Sequence, residues 1–244
     1  MSNKIYFCGG YYEVSATVSN TCLRYESGKW SNVANMTVER QGFTMNTVGG
    51  RILVTGGYTD QRITTNTMEL FDSTSSTWTL LDFNLTSARD DHCAVTVSET
   101  EVVTIGGWYL SPVPVEKYDI TKKIIETNLT SFPDEVFSIS AHACTLYNGE
   151  IIVSGGTSDN VDGFKKVYAL NLNTLEWSSL EDMNYGRWDH TMQVVNGQLM
   201  VFGGNGGANQ TVSKTLEIFD GIGWSVGQMA SSHDDHASVV VNCT

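Results

Sequence analysis

The sequence predicts an all-β fold made of five copies of one four-stranded antiparallel unit, and three observations predict it. A Gly-Gly doublet follows a short apolar run five times along the 244 residues, successive doublets are almost evenly spaced, and each interval carries the same aromatic, Trp and His landmarks in the same phase. A four-stranded sheet repeated at about fifty residues buries one face on the next around a central channel, which is the plan of a β-propeller.

The second strand of each unit is placed by the glycines. Ile5-Tyr6-Phe7-Cys8 precedes Gly9-Gly10, Ile52-Leu53-Val54-Thr55 precedes Gly56-Gly57, and Val102 to Ile105 precedes Gly106-Gly107. Ile151 to Ser154 precedes Gly155-Gly156, and Leu199 to Phe202 precedes Gly203-Gly204. Successive first glycines lie 47, 50, 49 and 48 residues apart. The first strand opens at His92, His142, His190 and His236, with Phe43 in the equivalent place of the second unit. The third strand is marked by Tyr25, Phe71, Tyr118 and Phe219, with Leu170 in the fourth unit. The fourth strand is marked by Trp30, Trp78, Trp177 and Trp224, whereas the third unit has Ile124-Ile125 there and is degenerate. Gly49-Gly50, Asn148-Gly149 and Asn196-Gly197 are hairpin chemistry, because these residue types accept positive φ at little cost, so consecutive strands are antiparallel. The Trp residues are expected to pack between blades with the indole N–H on a carbonyl. No amphipathic helical pattern occurs anywhere.

The doublet closing a second strand, the aromatic, the Trp, and Arg-x-x-His ahead of the next strand resemble kelch repeats, over essentially the whole chain. The resemblance implies one kelch-type β-propeller domain, 1–244, of five four-stranded antiparallel blades. The repeat units fall near 4–34, 43–82, 92–127, 142–180 and 190–227. A closing strand, 236–242, would complete the N-terminal blade from the C-terminus and so close the ring, which removes exposed sheet edges. Cys8 and Cys243 would then face each other across the seam, either bridged or as two reduced thiols.

Composition bounds the function. With 14 basic against 27 acidic side chains the formal charge is −13, and a surface of that sign repels a phosphate backbone, so nucleic acid is excluded as a partner. No run approaches the roughly 18 apolar residues of a membrane helix, so membrane insertion is not expected. Met1-Ser2-Asn3-Lys4 is not the head of a signal peptide, which suits a cytoplasmic chain or an excised domain, whereas five N-x-S/T sequons at Asn35, Asn84, Asn128, Asn209 and Asn242 point to the secretory route. Five Cys without a C-x-x-C pair leave the redox state open.

Two sets of residues carry chemistry. Asp91, His92, His142, Asp189, His190, Asp235 and His236 recur at the start of the innermost strand, and imidazole with carboxylate is a familiar metal-ligand set. The kelch resemblance implies instead that the His ring hydrogen-bonds within the blade as a repeat signature. The second set lies on the face that carries the long connections, from second to third strand and from blade to blade, where binding usually resides. Tyr11, Tyr12, Tyr58, Arg62, Trp108 and Tyr109 follow the glycines, and Arg40, Arg89, Asp90, Arg187, Trp188 and Asp234 occupy the blade-to-blade loops. Aromatics and Arg combine large area with planar hydrogen bonding and make contact hot spots. An Arg three residues before the His also recurs in kelch repeats and can serve blade packing, so both readings stand for Arg40, Arg89 and Arg187. Trp108 to Pro114 and Phe132 to Phe137 occur in the degenerate blade alone, and the former holds two of the three prolines, which makes them candidate contact loops. Glycans at the sequons would crowd the same face.

The function expected is a non-catalytic recognition module, a monomeric domain binding a protein or peptide without a cofactor. Acidic balance steers a basic partner toward it. The competing reading is a metal-dependent enzyme centred on the Asp/His set at the channel mouth. P-loop, Gly-x-Ser-x-Gly and His-Glu-x-x-His motifs are absent.

Overall fold

The computed structural model describes residues 4–108, 110, 113–133, 138–158, 162–206 and 211–240. They build five antiparallel sheets arranged as the blades of a propeller. Blade 1 holds β1 (Ile5–Cys8), β4 (Cys22–Glu26) and β5 (Lys29–Val33), with a ribbon of β2 (Tyr11–Tyr12) and β3 (Thr17–Val18) in its long loop. Blade 2 is β6 (Thr44–Val48), β7 (Arg51–Thr55), β8 (Met68–Asp72) and β9 (Thr77–Leu80). Blade 3 is β10 (Cys93–Thr96), β11 (Glu101–Ile105), β12 (Val115–Asp119) and β13 (Ile124–Glu126). Blade 4 is β14 (Ala143–Tyr147), β15 (Glu150–Ser154), β16 (Val167–Asn171) and β17 (Trp177–Ser179). Blade 5 is β18 (Thr191–Val195), β19 (Gln198–Phe202), β20 (Thr215–Phe219) and β21 (Trp224–Gln228).

Chain order equals spatial order within each of blades 2 to 5, so every connection is a hairpin. At Asn148-Gly149 and Asn196-Gly197 both central residues have positive φ (51° and 83°, 51° and 78°), the geometry whose twist matches the flanking strands. The innermost strands β6, β10, β14 and β18 are successive neighbours. Short turns therefore gather on one face and the long connections on the other.

The core is divided among the blade interfaces. Cys8, Cys22, Met36 and Val54 pack between blades 1 and 2; Val48, Leu53, Met68, Leu85, Val102 and Tyr118 between blades 2 and 3. Val103, Ile105, Val115, Ile151, Val153 and Leu170 fill the next interface, and Ile152, Val167, Met192, Leu199, Val201 and Phe219 the one between blades 4 and 5. Each fully buried Val, Leu or Phe contributes roughly 1.5–3 kcal/mol. The fourth-strand Trp leans on the preceding blade: Trp78 Nε1 donates to Ala34 O at 2.8 Å and Trp224 Nε1 to Glu181 O at 2.9 Å. Trp177 packs edge-on against Phe132, with ring centroids 5.3 Å apart.

Three expectations are corrected at the seam. Residues 236–240 form no ladder with β1, and β1 pairs only with β4, so blade 1 shows three strands among the described residues; Val241, Asn242 and Cys243 lie outside them. Trp30, expected in the core, is 53% exposed, and its ring contact is with Tyr25 of its own blade. Cys8 is bonded to Cys22, its cross-strand partner, and Cys93 to Cys144, which ties β10 to β14.

The segment 233–238 is nevertheless docked like the start of a blade. Gly204 N–H donates to His233 O as Gly57 does to Arg89 O, both at 2.8 Å. Gln193 Nε2 donates to Ser238 O at 2.9 Å, as Asn46 Nδ2 does to Ala94 O at 3.0 Å.

Candidate functional site

At the centre of the long-loop face a backbone hoop links the blades. Asp91 N–H donates to Gly42 O, Ala141 N–H to Asp91 O, and Asp189 N–H to Ala141 O, at 2.8, 2.8 and 2.9 Å. Each of these residues, and Asp235 after them, has φ between 49° and 59°, the left-handed turn that brings the chain from the connecting loop onto the inner strand. Gly42 has no Cβ for a reason, since one would come 2.6 Å from Asp91 Oδ1.

The hoop crowds carboxyl groups. Burial first, then the neighbouring Asp235, Asp91 and Asp234 charges, push Asp189 up to about 8. Burial, Asp90 and Asp235 push Asp91 up to about 7, and Asp235 and Asp90 are raised as well, by burial foremost. Asp91, Asp189 and Asp235 line a cavity of about 1320 Å³ that continues down the channel to Tyr6, Phe7 and Val239 at the seam.

The histidines do a different job. His92 Nε2 meets Thr55 Oγ1 at 3.1 Å, His190 Nε2 meets Ser154 Oγ at 2.9 Å and His236 Nε2 meets Thr191 Oγ1 at 3.1 Å. These bonds cross to the preceding blade, so the bonding expected within one blade is an inter-blade link. The first glycine of four doublets belongs to the same device, with Phe43 taking the place of the His against Gly9: a Cβ on Gly56 or Gly155 would come 2.8 or 2.6 Å from the Cε1 of His92 or His190. Burial holds His142 down to about 4 and His92 and His190 well below the ordinary imidazole value, so they are neutral wedges. Among the described residues no group of three or more His, Cys, Asp or Glu is gathered closely enough to hold a metal ion. The set Asp91, His92, His142, Asp189, His190, Asp235 and His236 lines one cavity, with crowded carboxyls at its mouth and imidazoles packed against the glycines of the preceding blade.

Arg40, Arg89 and Arg187 are corrected from contact residues to packing residues. They are 0%, 0% and 1% exposed and pair with Glu69, Glu116 and Glu217 at 2.9, 2.7 and 2.8 Å. Arg40 Nη1 also donates to Gly56 O at 2.6 Å, and Arg187 Nη1 to Gly203 O at 2.5 Å, which fixes the end of the second strand. Glu69 accepts from the N–H groups of Thr37 and Val38, and Glu217 from those of Asn184 and Tyr185. A buried guanidinium so enclosed does not reach a partner. Sequence reasoning missed the glutamates, yet a signal exists: each stands two residues before the third-strand aromatic, in those units that carry the Arg.

The other predicted contacts are accessible to different degrees. Tyr11 and Tyr12 are 52% and 55% exposed on the β2 ribbon, and Arg62 is exposed at the tip of its loop. Tyr58, Trp108 and Trp188 are half-buried. Their backbones tie long loop to blade-to-blade loop at one repeated position. Tyr58 exchanges hydrogen bonds with Gln41 at 2.7 and 3.0 Å, Trp188 with Asn205 at 2.9 and 2.8 Å, and Trp108 N–H donates to Asp90 O at 3.0 Å. The structure brings Tyr58, Trp108 and Trp188 together around the acidic hoop as residues flanking it. Tyr109 lies outside the described residues, as do Ser111, Pro112 and the stretch 134–137 of the two candidate loops.

Comparison with known proteins agrees with this geometry. Residues 5–222 match the family model described as Attractin/LZTR1 beta-propeller. The chain is 23% identical over 233 residues to Kelch repeat protein M-T8 of Myxoma virus, covering 96% of this chain and 44% of that protein. It is 27% identical over 217 residues to Kelch-like protein terF of Aspergillus terreus, covering 79% and 46%. It therefore spans less than half the length of these relatives. A solved structure, "Structure of YjhT", superposes with a TM-score of 0.76 at 13% identity over 93% of this chain and 81% of that one, a likeness of fold.

Proposed function

Because the chain belongs to the Attractin/LZTR1 β-propeller family, with kelch-type repeats, we propose that it is a non-catalytic recognition module whose long-loop face holds a basic protein segment. The observation that carries this reading is the crowd of carboxyls at the hoop, where Asp91, Asp189 and Asp235 are pushed up by burial and then by neighbouring aspartates. A lysine or arginine side chain entering the mouth relieves that repulsion, and Tyr58, Trp108, Trp188, Tyr11 and Arg62 supply the surrounding contact area. The carboxyls then serve orientation and on-rate, and the aromatics serve residence time. The metal-centre reading has weaker support, since His92, His190 and His236 bond to the preceding blade and, among the described residues, no group of three or more possible ligands is gathered.

An array of lysine- and arginine-rich peptides probes this. Binding should weaken as salt rises, and Trp188→Ala with Tyr58→Ala should lower affinity about tenfold or more without moving the melting temperature. Equal binding by that double variant and by wild type removes the face from consideration, and the short turn around Asp220 would then be tested in the same way.

A further inference from the structure

Three sequons share one structural address. Asn35-Met36-Thr37, Asn84-Leu85-Thr86 and Asn128-Leu129-Thr130 each follow the fourth strand of a blade, in blades 1, 2 and 3 consecutively. That strand ends the order of every sheet, farthest from the channel, so the address is the outer rim and not the mouth. The middle residue turns inward in each case: Met36 and Leu85 are 2% exposed, and Leu129 packs on the core between blades 3 and 4. Its N–H is anchored as well, to Asn20 O, Asn66 O and Val115 O at 2.9, 2.9 and 3.1 Å. With the centre of the tripeptide pinned inward, Asn35, Asn84 and Asn128 are all exposed. The expectation that glycans crowd the binding face is thereby revised for these three.

A second observation concerns the compartment. The described residues contain two disulfides, Cys8–Cys22 and Cys93–Cys144, and such bonds persist where the surroundings are oxidising, as in the secretory lumen. Sequons are read in that same lumen.

We propose that Asn35, Asn84 and Asn128 are N-glycosylation sites that line the rim of three adjacent blades and leave the channel mouth open. The donor is a dolichyl-pyrophosphate-linked oligosaccharide, with the membrane oligosaccharyltransferase as catalyst. The Asn amide nitrogen bonds to the anomeric carbon, the bond from that carbon to the pyrophosphate oxygen breaks, the nitrogen gives up one proton, and dolichyl pyrophosphate leaves. No electrons are transferred.

The test is to direct the whole 244-residue chain into the lumen of a eukaryotic host behind a host leader, and to map its peptides before and after peptide N-glycosidase. Glycan is expected on the peptides of Asn35, Asn84 and Asn128, with Asn35→Gln, Asn84→Gln and Asn128→Gln each removing one glycan. Thr37→Ala and Thr130→Ala should remove the same glycans as the first and third of these, which separates loss of the acceptor motif from misfolding. Lumenal protein with both disulfides formed and these three peptides bare overturns the proposal. Glycan confined to Asn209 or Asn242, or lumenal protein whose Cys8, Cys22, Cys93 and Cys144 stay reduced, overturns it equally.

Discussion

Blade 4 and blades 2, 3 and 5 fill one buried position with opposite chemistry. The residue paired across from the one two places before the first glycine is Glu69 opposite Val54, Glu116 opposite Thr104 and Glu217 opposite Val201, but Tyr168 opposite Val153. In the loops leading into blades 2, 3 and 5, the residue whose carbonyl takes the N–H of the preceding blade's second glycine is Arg40, Arg89 or Arg187 (from Gly10, Gly57 and Gly156), but in the loop leading into blade 4 it is Ile139 (from Gly107). Both members of the ion pair are thus exchanged together for an apolar residue and an aromatic one, and Phe132 seals the pocket with its ring centroid 5.6 Å from that of Tyr168. The lesson is that the propeller needs this position filled and satisfied, not charged. A desolvated pair gains little over a hydrophobic one, while half of a pair is costly.

That comparison can be broken by substitution. Arg187→Ala or Glu217→Ala leaves a buried charge alone and should cost about 3–5 kcal/mol in urea unfolding. Arg187→Ile with Glu217→Tyr, which copies blade 4, should recover at least half of that loss; a double variant as unstable as the sum of the singles would show that the two chemistries are not exchangeable. Trp177→Ala, which opens the Phe132 contact in blade 4, should cost about 3 kcal/mol. Trp30→Ala in blade 1 should cost less than about 1 kcal/mol, since that ring already meets water. Equal losses for the two would mean that the seam is packed in solution.

The smallest effect concerns the mouth, where blade 4 has Ala141 and blade 5 has Asp189. A carboxyl raised to about 8 in the native state keeps its proton after the unfolded chain has lost its own near the usual 3.8, so stability falls as pH rises between those values. Asp189→Asn cannot ionise and should raise the melting temperature by a few degrees at pH 8 to 9 while leaving it nearly unchanged near pH 4. An equal shift at both pH values would point to packing rather than to proton linkage.

The architecture was legible because the repeat repeats its punctuation. Five doublets at near-constant spacing, with Trp and His in phase, carry the strand order, the hairpin turns and the division into a short-turn and a long-loop face. What stayed hidden is set by side-chain direction, which a linear pattern does not record. Arg40, Arg89 and Arg187 sit in blade-to-blade loops yet point inward, and the glutamates that receive them are more than 25 residues downstream. The histidines show the same limit: Asp91 and His92 both line the channel cavity, but only the His92 ring also wedges against Gly56 and meets Thr55 of the preceding blade. The pairing of Cys8 with Cys22 lay outside the pattern, which carries no cysteine phase.

Because the hoop through Gly42, Asp91, Ala141 and Asp189 is made of backbone N–H and C=O groups, the bore of the channel is set by atoms that every residue type except proline possesses. At Asp91, Ala141 and Asp189 the side chain can differ among residue types that accept the left-handed turn, as it already does from blade to blade, whereas Gly42 has no room for a Cβ. Three positions of the mouth can thus vary on a fixed frame, and partner choice can be rewritten at Asp91, Ala141 and Asp189 one side chain at a time while the blades stay as they are.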